Sequence, residues 1–151
     1  MWIYPTEEHS WRCALYVKYE TGFFGMIPIA WEGHSSFRIR DLKEVDGWYD
    51  ISGCKLQVNE WSHYVVSYNA KTETAYAYIN GQLVGSMKNV PGNRYAKRIV
   101  LGGDVFQPSF IGKICEVTFY NEIRDHDFVS ELHQSYVTRD DFIGFEIGID
   151  K

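Results

Sequence analysis

The chain has 151 residues, 17.6 kDa and a net charge of −5, which is the length of one domain able to bury a sizeable core without staples. The acidic balance argues against a nucleic-acid binder, which normally shows a basic stripe, and no apolar run approaches the roughly 20 residues of a membrane helix. Aromatic residues make up 17% (9 Phe, 5 Trp, 11 Tyr), which excludes disorder and favours pleated, half-buried surfaces.

Trp11 to Tyr19 reads as a strand, with Cys13, Leu15 and Val17 alternating against Arg12, Ala14, Tyr16 and Lys18. A loop at Gly22 and Gly25 leads to the apolar run Met26 to Trp31 and a turn at Gly33. Ser36 to Asp41 alternates, placing Phe37 and Ile39 on one face and Arg38 and Arg40 on the other. Lys43 to Asp50 reads as a polar loop turning at Asp46-Gly47, and Cys54 to Val58 as a short strand. Trp61 to Tyr68 is strongly strand-like, with Trp61 assigned to the core and His63 to a hydrogen-bonded structural role. Thr74 to Ile79 and Gln82 to Met87 flank Asn80-Gly81, the pattern of a type I′ hairpin, whose two central residues need positive φ.

Asn89 to Lys97 is a loop around Pro91-Gly92, and Arg98 to Gly102 is a strand. Gly103 to Ser109 is a loop, and Phe110 to Tyr120 reads as one long strand. The periodicity predicts a helix over Asp125 to Tyr136. Phe128, Leu132 and Tyr136 recur every four residues, and Asp125 or Asp127 can cap the start. Phe142 to Ile149 alternates again, with Ile143, Phe145, Ile147 and Ile149 on one face. No opening segment has the features of a signal peptide. Cys13, Cys54 and Cys115 are far apart and lack zinc-site spacing, leaving either one disulfide or three free thiols. The expectation is one all-β domain over residues 1–151, with ten or more antiparallel strands and one short helix.

Taken in order, five segments resemble laminin-G-like and pentraxin-like domains of the concanavalin A-like lectin/glucanase superfamily. They are Trp11 to Lys18, Trp61 to Tyr68, Ala77-Tyr78-Ile79-Asn80-Gly81, Ile99-Val100-Leu101-Gly102-Gly103, and Phe110 to Asn121 with the helix behind it. The resemblance spans about residues 10 to 136. It implies a jelly-roll sandwich of two curved antiparallel sheets that binds carbohydrate or another extracellular ligand. Three departures stand out. Only about ten residues precede the Trp11 strand, so either Phe142 to Ile149 fills the sheet or a bare edge remains for pairing with another chain. Val65 stands on the strand where pentraxin-like members place the disulfide partner of the Cys13 strand. The loop of their calcium site holds a single acid here, Asp104.

Catalysis finds little support. Glycosidases on this fold resemble one another in an E-x-D-x-x-E strand, and the nearest segment, Glu44 to Asp50, does not reproduce it. No nucleophile elbow occurs, and His126 and His133 read as surface positions of the helix. Calcium needs six to eight oxygens. Asp104, with carbonyls of its own loop, is the candidate ligand for one ion. Sugar binding needs flat rings and a few placed polar groups. Asp46, Trp48, Tyr49 and Asp50 combine both in one apparent loop, Phe106 and Gln107 form a second candidate, and Trp31 a third. The basic residues Arg94, Lys97 and Arg98 could reach an acidic glycan.

These residues predict a non-catalytic carbohydrate-binding or adhesion module that recognises a glycan or glycoprotein, outside the cell or on a cell or virion surface, with no membrane insertion and no nucleic acid. The alternative is a structural or assembly protein, such as a virion-surface or oligomeric component, self-associating through an N-terminal or C-terminal edge strand.

Overall fold

Period-2 alternation gives most strands one apolar face, and two sheets bury those faces against each other. The computed structural model describes residues 1–91, 95–138 and 145–147. In chain order its elements are β1 (Trp2–Pro5), β2 (Leu15–Lys18), β3 (Gly22–Ile27), a 3-10 turn (Trp31–Gly33), β4 (His34–Asp41), β5 (Trp48–Lys55) and β6 (Ser62–Asn69). Then follow β7 (Thr74–Ile79), β8 (Gln82–Met87), β9 (Arg98–Leu101), β10 (Gly112–Cys115), α1 (His126–Val137) and β11 (Phe145–Ile147). One sheet has six strands in the order β11-β10-β1-β6-β7-β8, and the other has five, β5-β4-β3-β2-β9. This is the expected all-β jelly-roll sandwich with one short helix. Gly92, Arg94, Phe142, Ile143 and Ile149 lie outside the described residues.

The core lies between the sheets. Leu15, Val17, Phe24, Met26, Phe37, Ile39 and Ile51 come from the five-stranded sheet. Ile3, Tyr64, Ala75, Ala77, Ile79 and Ile114 come from the six-stranded one. Phe37 meets Tyr64 across the gap with ring centroids 5.3 Å apart. The Asn80-Gly81 hairpin forms as predicted, with φ of +51° and +78°.

Several expectations change: the loop expected at Gly22 and Gly25 lies within β3, and the strand expected over Cys54 to Val58 is only the end of β5, which stops at Lys55. The strand anticipated from Trp11 is regular only from Leu15, because Trp11 takes φ +68° and leaves the extended region. The supposed Lys43 to Asp50 loop is a tight turn followed by β5, and Trp48, Tyr49 and Asp50 are strand residues. The long strand from Phe110 is regular only over Gly112–Cys115. Its ladder with β1 runs from Gly112↔Pro5 to Cys115↔Trp2, and Glu116 then takes φ +50°. Last, β1 fills the place that seemed vacant. It lies between β10 and β6 and pairs with both, so the N-terminal strand is no edge for self-association. The C-terminal strand β11 does lie at an edge.

Helix α1 covers the outer face of the six-stranded sheet. Asp125 caps it, its side chain accepting the Phe128 N–H at 3.0 Å, and Val129 is wholly buried. Gly81 lets the helix approach, since a Cβ there would stand 3.1 Å from that of His133. Trp2, His63 and His133 form a mutual cluster of near-parallel rings, with centroids 4.9 Å (Trp2–His63), 5.2 Å (Trp2–His133) and 5.8 Å (His63–His133) apart. His63 is therefore structural, as expected, but stacking holds its ring, and its Nδ1 finds no hydrogen-bond partner among the described residues. Burial pushes its pKa down to about 3, with nearby positive charge, including His133, adding to the effect.

Two outcomes follow from this packing. Ile3→Ala should cost about 3 kcal/mol, the usual cost of truncating a core isoleucine, read as a lower urea midpoint with unchanged slope. A midpoint equal to wild type would show that β1 is peripheral. Between about pH 6.5 and 3 the unfolded chain binds a proton at His63 that the folded chain refuses. The His63 contribution to stability should thus be intact above pH 6.5 and be lost at about 1.4 kcal/mol per pH unit as the solution is acidified below it. His63→Phe should flatten that slope in urea titrations at stepped pH.

Candidate functional site

The outer face of the five-stranded sheet is built by the same alternation that fills the core. Phe37 and Ile39 of β4 point inward, so Arg38 and Arg40 point outward. Antiparallel pairing sets Arg38 opposite Asp50 and Arg40 opposite Trp48. Directly opposed side chains meet. Arg38 grips Asp50 with two parallel bonds, Nε to Oδ1 at 2.7 Å and Nη2 to Oδ2 at 2.8 Å. Both side chains are about one-fifth exposed, so the pair is only partly screened.

Three tryptophans enclose this pair. The Arg38 guanidinium carbon lies 4.7 Å from the ring centres of Trp31 and Trp48 and 4.9 Å from that of Trp11. The Trp11 backbone N–H donates to the Ile29 carbonyl at 2.7 Å, and the Trp11 ring meets Trp31 edge to face at 4.5 Å. This helps bring the loop between β1 and β2 back over the sheet.

The aromatic band continues through Phe23 of β3, which lies 5.9 Å from Trp48 and 5.4 Å from Phe106. Beneath them Tyr16 packs 5.4 Å from Phe23. Phe106 is held by its loop, because one Asp104 oxygen accepts the N–H groups of Phe106 (2.6 Å) and Gln107 (2.8 Å). Arg12 ties the two covering loops together by donating to the Ser109 carbonyl at 2.6 Å. Under the band, Gly25 leaves room for Cys13, whose Sγ would stand 3.3 Å from a Cβ at that position. Burial pushes the Cys13 thiol up to about 12, so it behaves as a small apolar group. Cys13, Cys54 and Cys115 are all free thiols.

Of the residues singled out in the sequence, Trp31, Trp48, Asp50 and Phe106 converge on this face. Their rings remain open to solvent: Trp31 is 46% exposed, Trp48 48% and Phe106 62%. Tyr49 does not join them. It lies on the opposite face of β5, packs against the core, and donates its hydroxyl to Glu44 at 2.7 Å. Asp46 stands exposed in the β4–β5 turn, and Gln107 is exposed on the Phe106 loop. Trp11, Phe23, Arg38 and Arg40 were not among the candidates. The Arg38/Arg40 alternation was visible in the sequence, but the partner alternation in β5 was hidden by reading that segment as a loop.

Of the carboxylates in the Glu44 to Asp50 segment, Asp50 is bound to Arg38 and Glu44 accepts from the Tyr49 hydroxyl. Among the described residues no three His, Cys, Asp or Glu side chains cluster as a metal site. Asp104 commits one oxygen, Oδ1, to the N–H groups of its own loop. His126 and His133 do not converge either: His126 stacks on Tyr78, and His133 on Trp2.

The family profile described as the concanavalin A-like lectin/glucanases superfamily, of laminin-G type, matches residues 1–130. Among solved structures the chain is similar to the native heptameric SAP-like pentraxin from Limulus polyphemus, with a TM-score of 0.67 and 16% identity over 87% of this chain. It spans 66% of that pentraxin chain, just under two thirds, and the likeness is one of fold. No curated protein matches the sequence.

Asp50→Asn should leave the Arg38 charge without its counter-ion among the tryptophans. The expected cost is about 2 kcal/mol, between the values for exposed and buried pairs, with an altered tryptophan emission spectrum. An unchanged urea midpoint and spectrum would show that the pair does not organise the face.

Proposed function

Given that the chain belongs to the concanavalin A-like lectin/glucanase superfamily, we propose that it is a non-catalytic module that binds carbohydrate on the outer face of its five-stranded sheet. The observation that carries this reading is the pair of open rings, Trp31 and Trp48, held around one fixed ion pair, with open Phe106 extending the band beyond Phe23. The π face of a ring carries partial negative charge, and the C–H bonds of a pyranose face carry partial positive charge. A sugar laid on Trp48 would therefore gain both apolar contact and electrostatic fit. The Arg38–Asp50 pair and the Arg40 edge supply hydrogen-bonding groups beside that ring. The platform is preorganised, since Arg38 locks three tryptophans before any ligand arrives, and this lowers the ordering cost of binding.

Among the described residues no helix is long and apolar enough to cross a membrane. An extracellular or surface setting for the module agrees with its superfamily. The second reading, an assembly component, is favoured by edge strand β9, where Ile99 and Leu101 are each 46% exposed.

A glycan array run with calcium and again with EDTA tests the first reading. Hits should appear, and Trp48→Ala should weaken them at least tenfold while circular dichroism and the urea midpoint stay near wild type. Hits lost in EDTA would place a calcium beside the site. Hits untouched by Trp48→Ala would move binding off this face. Silence throughout, with an oligomeric mass in solution, would favour assembly.

A further inference from the structure

The two flanks of the sandwich differ. On one, β5 and β8 press together: Gly85 of β8 comes so near Ile51 that an added Cβ would stand 2.6 Å from its Cγ2. On the other, β9 ends the five-stranded sheet, and β2 is its one strand partner among the described residues. Gly102 donates its N–H to the Ala14 carbonyl at 2.8 Å, so by alternation Val100 and Arg98 also bond toward β2, opposite Tyr16 and Lys18. The N–H and C=O groups of Ile99 and Leu101 therefore point away from the sheet, along an open edge. Their side chains share the inward face with Val17 and Leu15, opposite which they lie, yet each is left about half exposed.

The residues along this edge are self-complementary. Tyr95, Ile99, Leu101 and Val105 are all exposed, and they stand symmetrically about Val100. An antiparallel copy centred on Val100 sets Ile99 against Leu101 of the second copy and brings Tyr95 toward its Val105. Val100 meets itself, and Arg98 meets Gly102, which has no side chain to obstruct it. This alignment pairs every outward N–H and C=O of Ile99 and Leu101. Centring on Ile99 would set Leu101 against Lys97, whose N–H is already bonded to the Lys18 carbonyl. Centring on Leu101 would set Ile99 against Gly103, beyond the break at Gly102 (φ +74°). The charges agree with antiparallel pairing. Lys18, Lys97 and Arg98 lie at one end, with Glu20 4.0 Å from Lys97. Asp104 lies toward the other end, where Arg12 donates to the Ser109 carbonyl. Antiparallel copies set each cationic end against the end that holds Asp104, whereas parallel copies would set cation on cation.

We infer that the chain associates as a two-fold dimer through β9, joining two five-stranded sheets into one of ten strands. The contact is isologous, so it closes at two copies. The two-fold axis stands perpendicular to the sheet, and both outer faces open to the same side. Their Trp48 strands lie nine strand spacings, about 40 Å, apart along the sheet. The dimer supplies the contact for the assembly reading, and it holds whether or not the outer face binds carbohydrate.

Sedimentation and light scattering of the whole chain across a wide concentration series test this. The mass should rise with concentration from one chain, 17.6 kDa, toward two and stop there. Amide exchange at Ile99 and Leu101 should slow as concentration rises, while Val100, bonded within the monomer, stays slow throughout. Ile99→Pro removes an outward N–H and leaves the β2 ladder intact, so it should weaken the dimer at least tenfold. Leu101→Lys, which keeps the backbone and sets a charge against Ile99 of the second copy, should do the same if the proline variant fails to fold. A single-chain mass at every concentration, a mass that climbs past two, or a dimer that survives both variants would overturn the inference. A monomer that binds glycan would overturn it and leave the carbohydrate reading standing. A dimer lost in both variants, with a silent glycan array, would do the reverse.

Discussion

Strand β4 has to serve two environments at once, and its alternation is the constraint on which the molecule turns. Phe37 and Ile39 complete the core from one face, while Arg38 and Arg40 organise the tryptophans on the other. A slip of one residue would put guanidinium groups into the core and phenyl rings into water. The register with β5 is therefore held from both sides, by Phe37↔Ile51 within the core and by Arg38↔Asp50 outside it.

The two outer faces of the sandwich meet different fates. On the six-stranded sheet, Trp2, His63 and Tyr78 are covered by α1, and the helix brings its own rings, His126, His133 and Tyr136, into the stack. On the five-stranded sheet no helix arrives among the described residues. Loops carrying Trp11, Trp31 and Phe106 cover it in part, leaving their rings open at the rim. An aromatic surface closed by a helix is packing. One left open and organised by a bidentate ion pair has the makings of a ligand platform.

Much of this was legible in the sequence, for physical reasons. Long alternating runs such as Trp61 to Tyr68 can bury only one face, and Asn80-Gly81 is the pair that accepts two positive φ angles, so the sandwich and its hairpin follow from local chemistry. The spacing of Phe128, Leu132 and Tyr136 likewise determined the helix. Trp31, Trp48, Asp50 and Phe106 were recognisable as the types of residue that meet sugars. Tertiary structure decided the rest. Four residues ending in proline carry too little periodicity to announce β1 as an interior strand, and its place is set by ladders to β6 and β10. The polar run before Trp48 masked β5, so Tyr49 was assigned to the site although its strand turns it inward. That Arg38 belongs with Asp50 and three tryptophans, and that Arg40 lies over the Trp48 ring, depends on which strands lie side by side, and pairing across a sheet is long-range information that no local window contains.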